Sequence, residues 1–425
     1  MTSQIRLVHS ASIEYCCAIR SKHAQPWRLE QLMPLAVSES VPAPFGPDKF
    51  RYVLVMPVWG EHHTGLFLRY CVPFLLTDGN IGAFPDRELQ VYLTSRRVDF
   101  ARMRQDQGYQ HLSALTRLVE IEIDDIIDLT LPYQAMTRCY MHALQMLAVP
   151  ERTVTFFPTP DCILSRDALR TMKRLIEAGA RAVMMCGLRV ELESVAPLLG
   201  QIIASTSGAG GISERELSAL GLHHLHPISK GCDAASSEFL VGCPAHVYWI
   251  APDRSWLLAH CFHLHPMAVR GVPTVIDPDA TIDGDYLLGL GLKADQCYIC
   301  QNSDELLALE LSPKVKRIDA RIGRLAERHL SRFSAIATNA LHREFFTKQI
   351  LFRGAQEPEI PPDVALRITA FVDAVKQGPN IIDSSIGFIF WMIRRNRHLR
   401  AAARSIVRMG RRLAQSARSE LAARS

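Results

Sequence analysis

The chain alternates short apolar runs with segments whose hydrophobic residues recur at helical spacing. The apolar runs predict buried strands at 51–59, 89–95, 116–124, 153–158 and 181–190. The segments between them predict amphipathic helices at 64–76, 98–113, 133–147 and 166–179. Strands that alternate with helices in this way are typical of an α/β protein whose sheet is mostly parallel and flanked by helices.

Shifts in composition divide the chain into three predicted regions. Residues 1–49 read as an N-terminal extension that ends in a proline-rich linker, and residues 50–312 contain the alternating strands and helices. Residues 313–425 are predicted to form a helical C-terminal region, strongly so over 314–352, that ends in a basic amphipathic tail. The 425 residues, 48% of them hydrophobic and 21% charged, exclude collagen-like, coiled-coil and wholly disordered proteins.

The positive charge is concentrated at the C-terminal end. The formal net charge is +5, yet residues 394–425 hold ten arginines and a single acidic residue, which leaves the rest of the chain net acidic. The apolar stretch 386–393 runs directly into this segment, a composition typical of a helix in a membrane interface. The tail is therefore expected to meet an anionic membrane surface, with a solvated basic helix as the alternative, and nucleic acid is not expected as a partner.

Cysteine usage and the start of the chain bear on location. The eleven cysteines show no disulfide-scaffold spacing, and the first twenty residues lack the apolar core of a secretory signal. No run of eighteen apolar residues occurs. These features predict free thiols in a cytoplasmic protein that lies, through its tail, at the inner face of the membrane.

The ends of the predicted strands offer the first candidates for chemistry, because ligands of parallel α/β sheets bind outside the carboxyl ends of the strands. Asp161 directly follows the fourth strand, where its carboxylate is placed either to hold a cation that bridges phosphate oxygens or simply to make a turn. Ser95 ends the second strand. Arg189, near the end of the fifth, either faces phosphate or lies on the surface.

Two later clusters add histidines and carboxylates. In an H-x-H strand His263 and His265 are expected on one face, as metal or pyrophosphate ligands or as packed histidines. Asp283 and Asp285 flank a glycine, so they are either a metal-binding or proton-accepting pair or an Asp-Gly turn. The chain lacks G-x-G-x-x-G after the first strand, a Walker A motif and G-x-S-x-G, and its lone C-x-x-C does not favour zinc.

Four of these segments resemble glycosyltransferases of the GT-A type over residues 50–300. The stretch YVLVMPVWGEHHTGLFLRYCVPFLL (52–76) is similar to their first strand and helix. PTPDCIL (158–164) is similar to the strand that carries the D-x-D metal motif, although only Asp161 matches, with Thr159 and Ile163 at the neighbouring positions. HCFHLHP (260–266) and TIDGDYL (281–287) look like the late histidine and late acidic residue of these enzymes.

The resemblance implies a Rossmann-type GT-A domain that transfers a sugar from a nucleotide-sugar donor to a surface-polysaccharide, glycoconjugate or lipid-linked acceptor. It implies a divalent metal, Mn²⁺ or Mg²⁺, held by Asp161 with His263 or His265, and an acceptor base at Asp283 or Asp285. The residues implied to bind the nucleotide sugar are Pro57, Val58, Trp59, Glu61, Ser95, Asp161 and Arg189.

Two alternatives belong to other functional classes. A metal-dependent hydrolase would use the same histidines and aspartates to activate water. A catalytically inactive peripheral membrane protein would keep the fold, and the incomplete D-x-D pattern favours it.

Overall fold

A computed structural model describes most of the chain between residues 50 and 377. The described residues are 27–28, 50–125, 132–147, 150–205, 211–271, 275–276, 282–315, 320–354 and 359–377. The predicted N-terminal extension, apart from residues 27–28, and the whole basic tail lie outside them.

A seven-stranded sheet forms the centre of the molecule. Its strands are β2 (Arg51–Pro57), β3 (Leu89–Ser95), β4 (Arg117–Glu122), β5 (Thr153–Phe156), β7 (Ala182–Met185), β11 (His265–Arg270) and β13 (Cys297–Ile299). Their spatial order is β13-β7-β11-β5-β2-β3-β4. All run parallel except β11, which is antiparallel to both of its neighbours. The predicted mixed α/β architecture with a mostly parallel sheet is confirmed.

The smaller pairings are made by the remaining strands. These are β1 (Trp27–Arg28), β6 (Cys162–Leu164), β8 (Leu188–Glu191), β9 (His246–Ile250), β10 (Trp256–Cys261), β12 (Val275–Ile276), β14 (Ala308–Ser312) and β15 (Ile350–Arg353). They form a two-stranded pair, β1-β12, and two three-stranded sheets, β6-β14-β8 and β15-β10-β9. The β6-β14-β8 sheet begins directly after Asp161, so it stands beside the end of β5.

Helices cover the sheet. In chain order they are α1 (Gly60–Leu66), α2 (Val72–Leu75), α3 (Arg97–Met103), α4 (Gln107–Leu115), α5 (Pro132–Gln145), α6 (Ala168–Glu177), α7 (Leu192–Ser205), α8 (Glu214–His223), α9 (Pro227–Lys230), α10 (Gly284–Gly289), α11 (Glu327–Ala337), α12 (Ala340–Phe346) and α13 (Pro362–Lys376). Within the described helices none is long and apolar enough to cross a membrane.

Both faces of the sheet are buried. Along β2 the alternate residues Val53 and Val55 enter one apolar cluster, while Tyr52, Leu54 and Met56 enter another. This follows from the period of two in a strand, and a run that is apolar on both faces is typical of a parallel sheet covered by helices.

Two predicted helices are interrupted for identifiable reasons. The helix expected over 64–76 contains a π-helical turn, Phe67–Cys71, between α1 and α2. Pro73 follows it and lacks the N–H that would continue the ladder. The helix expected over 98–113 is split into α3 and α4, because the Asp106 carboxylate caps a new helix by accepting the Tyr109 N–H at 3.0 Å.

Two other predicted elements are not continuous in the structure. The strand expected at 181–190 is two strands in different sheets, β7 and β8, separated at Cys186 and Gly187. The helical region expected over 314–352 contains α11 and α12 but ends in the strand β15, which pairs with β10.

The C-terminal helices pack on the α/β core. The Phe346 ring of α12 stacks on Phe262 with ring centroids 4.2 Å apart. Phe333 of α11 and Phe371 of α13 belong to the same apolar cluster as Val53 and Val55. Helix α12 is thereby held close to the loop that enters β11.

Eight cysteines of the described residues are buried free thiols, as predicted. Cys243 departs from the prediction because it is disulfide-bonded.

Candidate functional site

The carboxyl edge of the central sheet collects most of the residues that the sequence singled out. The parallel strands β2, β3, β5 and β7 end there. Strand β11 runs the opposite way, so its first residue, His265, pairs with Met185 at the end of β7. One antiparallel strand therefore brings the late histidines to the edge where the parallel strands end.

The ends of β2 and β3 build one side of this edge. Pro57 pairs with Thr94, and the Val58 N–H donates to the Thr94 carbonyl at 2.9 Å. Pro57 and Val58 are buried, whereas Trp59 is half-buried against the small apolar cluster that contains Cys139. Ser95 is fully buried, and its hydroxyl has no hydrogen-bond partner among the described residues.

The turn after Trp59 is fixed by the carboxylate of Asp99, which the sequence analysis did not single out. Gly60 adopts φ +81°, a conformation that favours glycine, and donates its N–H to the Asp99 carboxylate at 2.9 Å. Arg96 forms an ion pair with the same carboxylate at 2.7 Å. Glu61, predicted to bind the nucleotide sugar, points outward with 92% of its side chain exposed, 3.8 Å from Arg102.

Asp161 lies between the central sheet and the β6-β14-β8 sheet. Its backbone carbonyl accepts the Leu311 N–H at 2.9 Å, which fixes the loop after β5. The side chain is half-buried. Burial, and then the Asp161 charge, raise the pKa of both Cys71 and Tyr140, which places this carboxylate near a buried thiol and a buried phenol.

Arg189 is held by an acidic partner. Its guanidinium lies 3.2 Å from the Glu310 carboxylate, and both side chains are partly exposed. Gly187 leaves the room for Glu310, because a Cβ there would overlap its carboxylate. Glu310 was not predicted from the sequence, because nothing in the LALELS segment marks one glutamate as facing the strand that carries Arg189.

The two histidines of the H-x-H pattern do not act as a pair. His265 begins β11, and its Nε2 is bonded to the Phe157 carbonyl at 2.6 Å, at the end of β5. His263 lies in the loop before β11, so the alternation of a strand does not apply to it. The expectation that both imidazoles share one face of a strand is wrong.

His263 instead meets Asp283 and His342. The His263 Nδ1 is 2.9 Å from Asp283 Oδ2, and the His342 Nε2 is 3.6 Å from Asp283 Oδ1. Within the described part of the chain these three side chains form a group that could hold a metal ion, with ligand atoms within 4.8 Å of one another. Asp161 and His265, the other predicted metal ligands, are not members of this group.

The three side chains of this cluster are almost fully buried, with 8%, 9% and 5% of the His263, Asp283 and His342 side chains exposed. Burial alone would raise the pKa of Asp283. The hydrogen bonds and charges of His263 and His342 outweigh it and hold that pKa well below its usual range. Asp283 is therefore a carboxylate with both oxygens directed at imidazoles.

His342 and Asp285 differ in what the sequence revealed. His342 lies on α12, about 80 residues after His263 and inside a segment predicted only as helix, so no spacing signal marked it. Asp285 is the second residue of α10, next to the Asp283 cluster, and its side chain lies outside the described part of the structure.

Comparisons with known proteins give weak structural similarity and no family. No family model matches the chain, and no curated protein does. Among solved structures, the chain is similar to the mannosyltransferase PcManGT from Pyrobaculum calidifontis in complex with GDP-Man and Mn²⁺, with 12% identity and a TM-score of 0.32. The match covers 85% of this chain and 80% of that one. A similarity this low transfers no residue roles.

Proposed function

We propose that the protein is a glycosyltransferase that binds a nucleotide-sugar donor across the carboxyl edge of the central sheet. The observation that carries the proposal is the position of Asp161, a half-buried carboxylate in the short loop between β5 and β6, where a donor diphosphate would lie. In this proposal Pro57, Val58 and Trp59 form the wall for the base and ribose. Ser95 and Arg189 supply polar contacts.

Buried polar atoms near this edge support a ligand there. The hydroxyls of Ser95, Tyr140 and Tyr286 have no partner among the described residues. Both tyrosine rings pack against Phe157 at the end of β5, with centroids 5.3 and 5.4 Å away. An unpaired buried polar group costs about 1–3 kcal/mol, so several in one place favour a site completed by a ligand.

Asp161 fits a divalent cation only in part. A carboxylate is an oxygen ligand of the kind that Mg²⁺ and Mn²⁺ take, and such ions are often held by one or two carboxylates together with substrate phosphates. Asp161 belongs to no group of three ligands in the described structure, so the donor's phosphate oxygens would complete the site. A cation bound there would neutralise the negative charge of the departing diphosphate.

The proposed reaction moves one proton and one glycosyl group. The acceptor hydroxyl oxygen bonds to the anomeric carbon as that carbon's bond to the diphosphate breaks, and a nucleoside diphosphate leaves. A carboxylate takes the hydroxyl proton in an inverting reaction. Of the two candidate bases we assign this role to Asp285, because both oxygens of Asp283 are directed at His263 and His342. The acceptor, a glycan or a lipid-linked sugar, would reach the edge beside α10.

Calorimetric titration with UDP-, GDP-, CMP- and dTDP-linked sugars, with and without Mn²⁺ or Mg²⁺, tests the proposal. We expect one nucleotide family to bind, and Asp161→Asn to lower the rate of transfer about 100-fold or more by removing charge stabilisation. The matched control is Asp295→Asn, an exposed aspartate near the start of β13, at the opposite edge of the same sheet.

Two results would contradict the proposal. One is no binding of any nucleotide sugar, and the other is equal loss of transfer in the Asp161 and Asp295 variants. Turnover of a phosphoester without a nucleotide sugar would favour the hydrolase alternative instead.

A further inference from the structure

We propose that His263, Asp283 and His342 form a transition-metal site, separate from the donor site and suited to Zn²⁺. The three residues come from three segments: the loop before β11, the residue that precedes α10, and the first turn of α12. An ion bound by all three would tie the C-terminal helices to the carboxyl edge of the sheet. This inference does not rest on the proposed transferase activity.

The spacing of the ligand atoms suits one ion. Two ligands that each lie about 2.0–2.1 Å from Zn²⁺ in tetrahedral geometry are roughly 3.3 Å apart. One ligand atom from each of the three side chains lies within 4.8 Å of the others, and the Asp283 Oδ2–His263 Nδ1 and Asp283 Oδ1–His342 Nε2 distances are 2.9 and 3.6 Å. The imidazole centroids are 4.3 Å apart, so both rings face one small volume.

The chemistry of the ligands selects the class of metal. Two imidazoles and one carboxylate are a set that Zn²⁺ and its first-row neighbours take, whereas Mg²⁺ and Ca²⁺ prefer oxygen ligands alone. The site proposed around Asp161 is of the second kind. The two sites are therefore distinguishable by the metal that each retains.

Burial adds a reason for a cation. Asp283 is 6% exposed, and a carboxylate in a low-dielectric interior is stable only when it is paired or bound to a metal. The Nε2 of His263 is also buried and has no hydrogen-bond partner among the described residues. The Nδ1 of the same ring faces Asp283, so it is this nitrogen that would bind the ion.

A metal-free hydrogen-bond network is the competing interpretation. The Asn339 N–H donates to His342 Nδ1 at 3.2 Å, which leaves the proton of a neutral imidazole on Nε2, facing Asp283. Coordination through Nε2 would displace that proton and lose one hydrogen bond. Because metal–ligand bonds at structural zinc sites are much stronger than one neutral hydrogen bond, coordination prevails when the ion is supplied.

Metal analysis of the full chain, purified without a histidine tag, tests the site. Protein treated with a chelator is reloaded with Zn²⁺, dialysed and analysed for bound metal, and Co²⁺ is used as a spectroscopic substitute. We expect about one tightly held Zn²⁺ per chain and visible bands of tetrahedral Co²⁺. His342→Gln should weaken Zn²⁺ binding at least 100-fold.

The control is His226→Gln, a change at another buried histidine, whose Nε2 is bonded to the Pro313 carbonyl and which lies outside the cluster. It should retain wild-type zinc content. Equal zinc content in the wild type and His342→Gln would overturn the proposal, as would no retained zinc after loading, and the hydrogen-bond network would then stand.

If the His342 variant fails to fold, the zinc site is tested with the wild-type protein alone. Added Zn²⁺ should raise the melting temperature of the chelator-treated protein, since a ligand of the native state stabilises it by mass action. An unchanged melting temperature would contradict the site. Nucleotide-sugar binding, measured separately, distinguishes failure of this site from failure of the proposed transferase.

Discussion

Asp161 and Asp283 lie at the same edge of the sheet in opposite environments. Asp161 is half-buried after β5 and accessible to a ligand. Asp283 is enclosed, with an imidazole against each carboxylate oxygen. The first is suited to a substrate that arrives and leaves. The second is suited to a permanent partner, because its charge is already committed within the fold.

The contrast shows that the local sequence around an aspartate does not determine whether it binds substrate or is enclosed in the fold. Asp161 directly precedes the strand β6 and Asp283 directly precedes the helix α10, and both were candidates for metal binding in the sequence. The difference comes from the segments that pack against them. The backbone carbonyl of Asp161 is bonded to β14, whereas the side chain of Asp283 contacts His263 in the loop before β11 and His342 of α12. Burial and partners decide which of the two can meet substrate.

The largest expected effect that separates these two aspartates is on stability. Asp283→Asn removes a buried charge that two histidines face, and breaking such a pair typically costs about 3–5 kcal/mol. Asp161→Asn changes a half-exposed side chain and should alter the free energy of unfolding by less than about 0.5 kcal/mol. Denaturant unfolding of both variants measures the difference.

A second variant guards against a general intolerance of substitution near α10. Asp295→Asn, at an exposed position of the following loop, should unfold like the wild type. If Asp283→Asn and Asp161→Asn lose equal stability, the contrast between the enclosed and the open aspartate is wrong.

The sequence predicted the strands of the central sheet well because their apolar runs are continuous. It failed where a short polar feature interrupts a pattern. Asp106 starts a new helix inside an amphipathic segment, and Gly187 separates two strands that read as one run. A hydrophobic pattern is read over many residues, so it does not detect a single residue that ends one element and begins the next.

The site was predictable only in the parts that are local in sequence. Asp161 stands at the end of a strand, which a rule about parallel sheets can find. His342 required knowledge of how α12 packs, since about 60 residues separate it from Asp283. Glu310 likewise depends on the pairing of β14 with β8. Long-range pairing of this kind is not encoded in any spacing along the chain.

The next effect concerns acid. His260 of β10 is 2% exposed and packs against α12, with its Nδ1 2.8 Å from the Phe346 carbonyl, and burial lowers its pKa below 6.5. Unfolding raises that pKa to its ordinary value. At a pH between the two pKa values the unfolded chain therefore binds a proton at this histidine and the native state does not. Stability should therefore fall as the pH drops below about 6.5, by at most about 1.4 kcal/mol per pH unit for this residue.

Unfolding free energies measured from pH 8 to 5 check this dependence. His260→Gln should flatten the slope whatever its effect on stability at pH 8, whereas Asp161→Asn should leave the slope unchanged. The matched histidine control is His111→Gln at an exposed position of α4. If His111→Gln reduces the dependence of the unfolding free energy on pH as much as His260→Gln does, the acid sensitivity does not come from the burial of His260.

The smallest effect is expected at Glu61, on the open side. Its side chain is 92% exposed and its cation neighbour, Arg102, is 3.8 Å away, so Glu61→Gln should change stability by less than about 0.5 kcal/mol. If Glu61 contacts the base or ribose of the nucleotide sugar, as the resemblance to GT-A glycosyltransferases implies, its KM should rise a few-fold with little change in kcat, because the contact lies far from the reacting carbon. Glu359→Gln, at another exposed glutamate, should change neither constant. An unchanged KM in Glu61→Gln would remove Glu61 from the donor site and restrict that site to Trp59 and the buried strand ends.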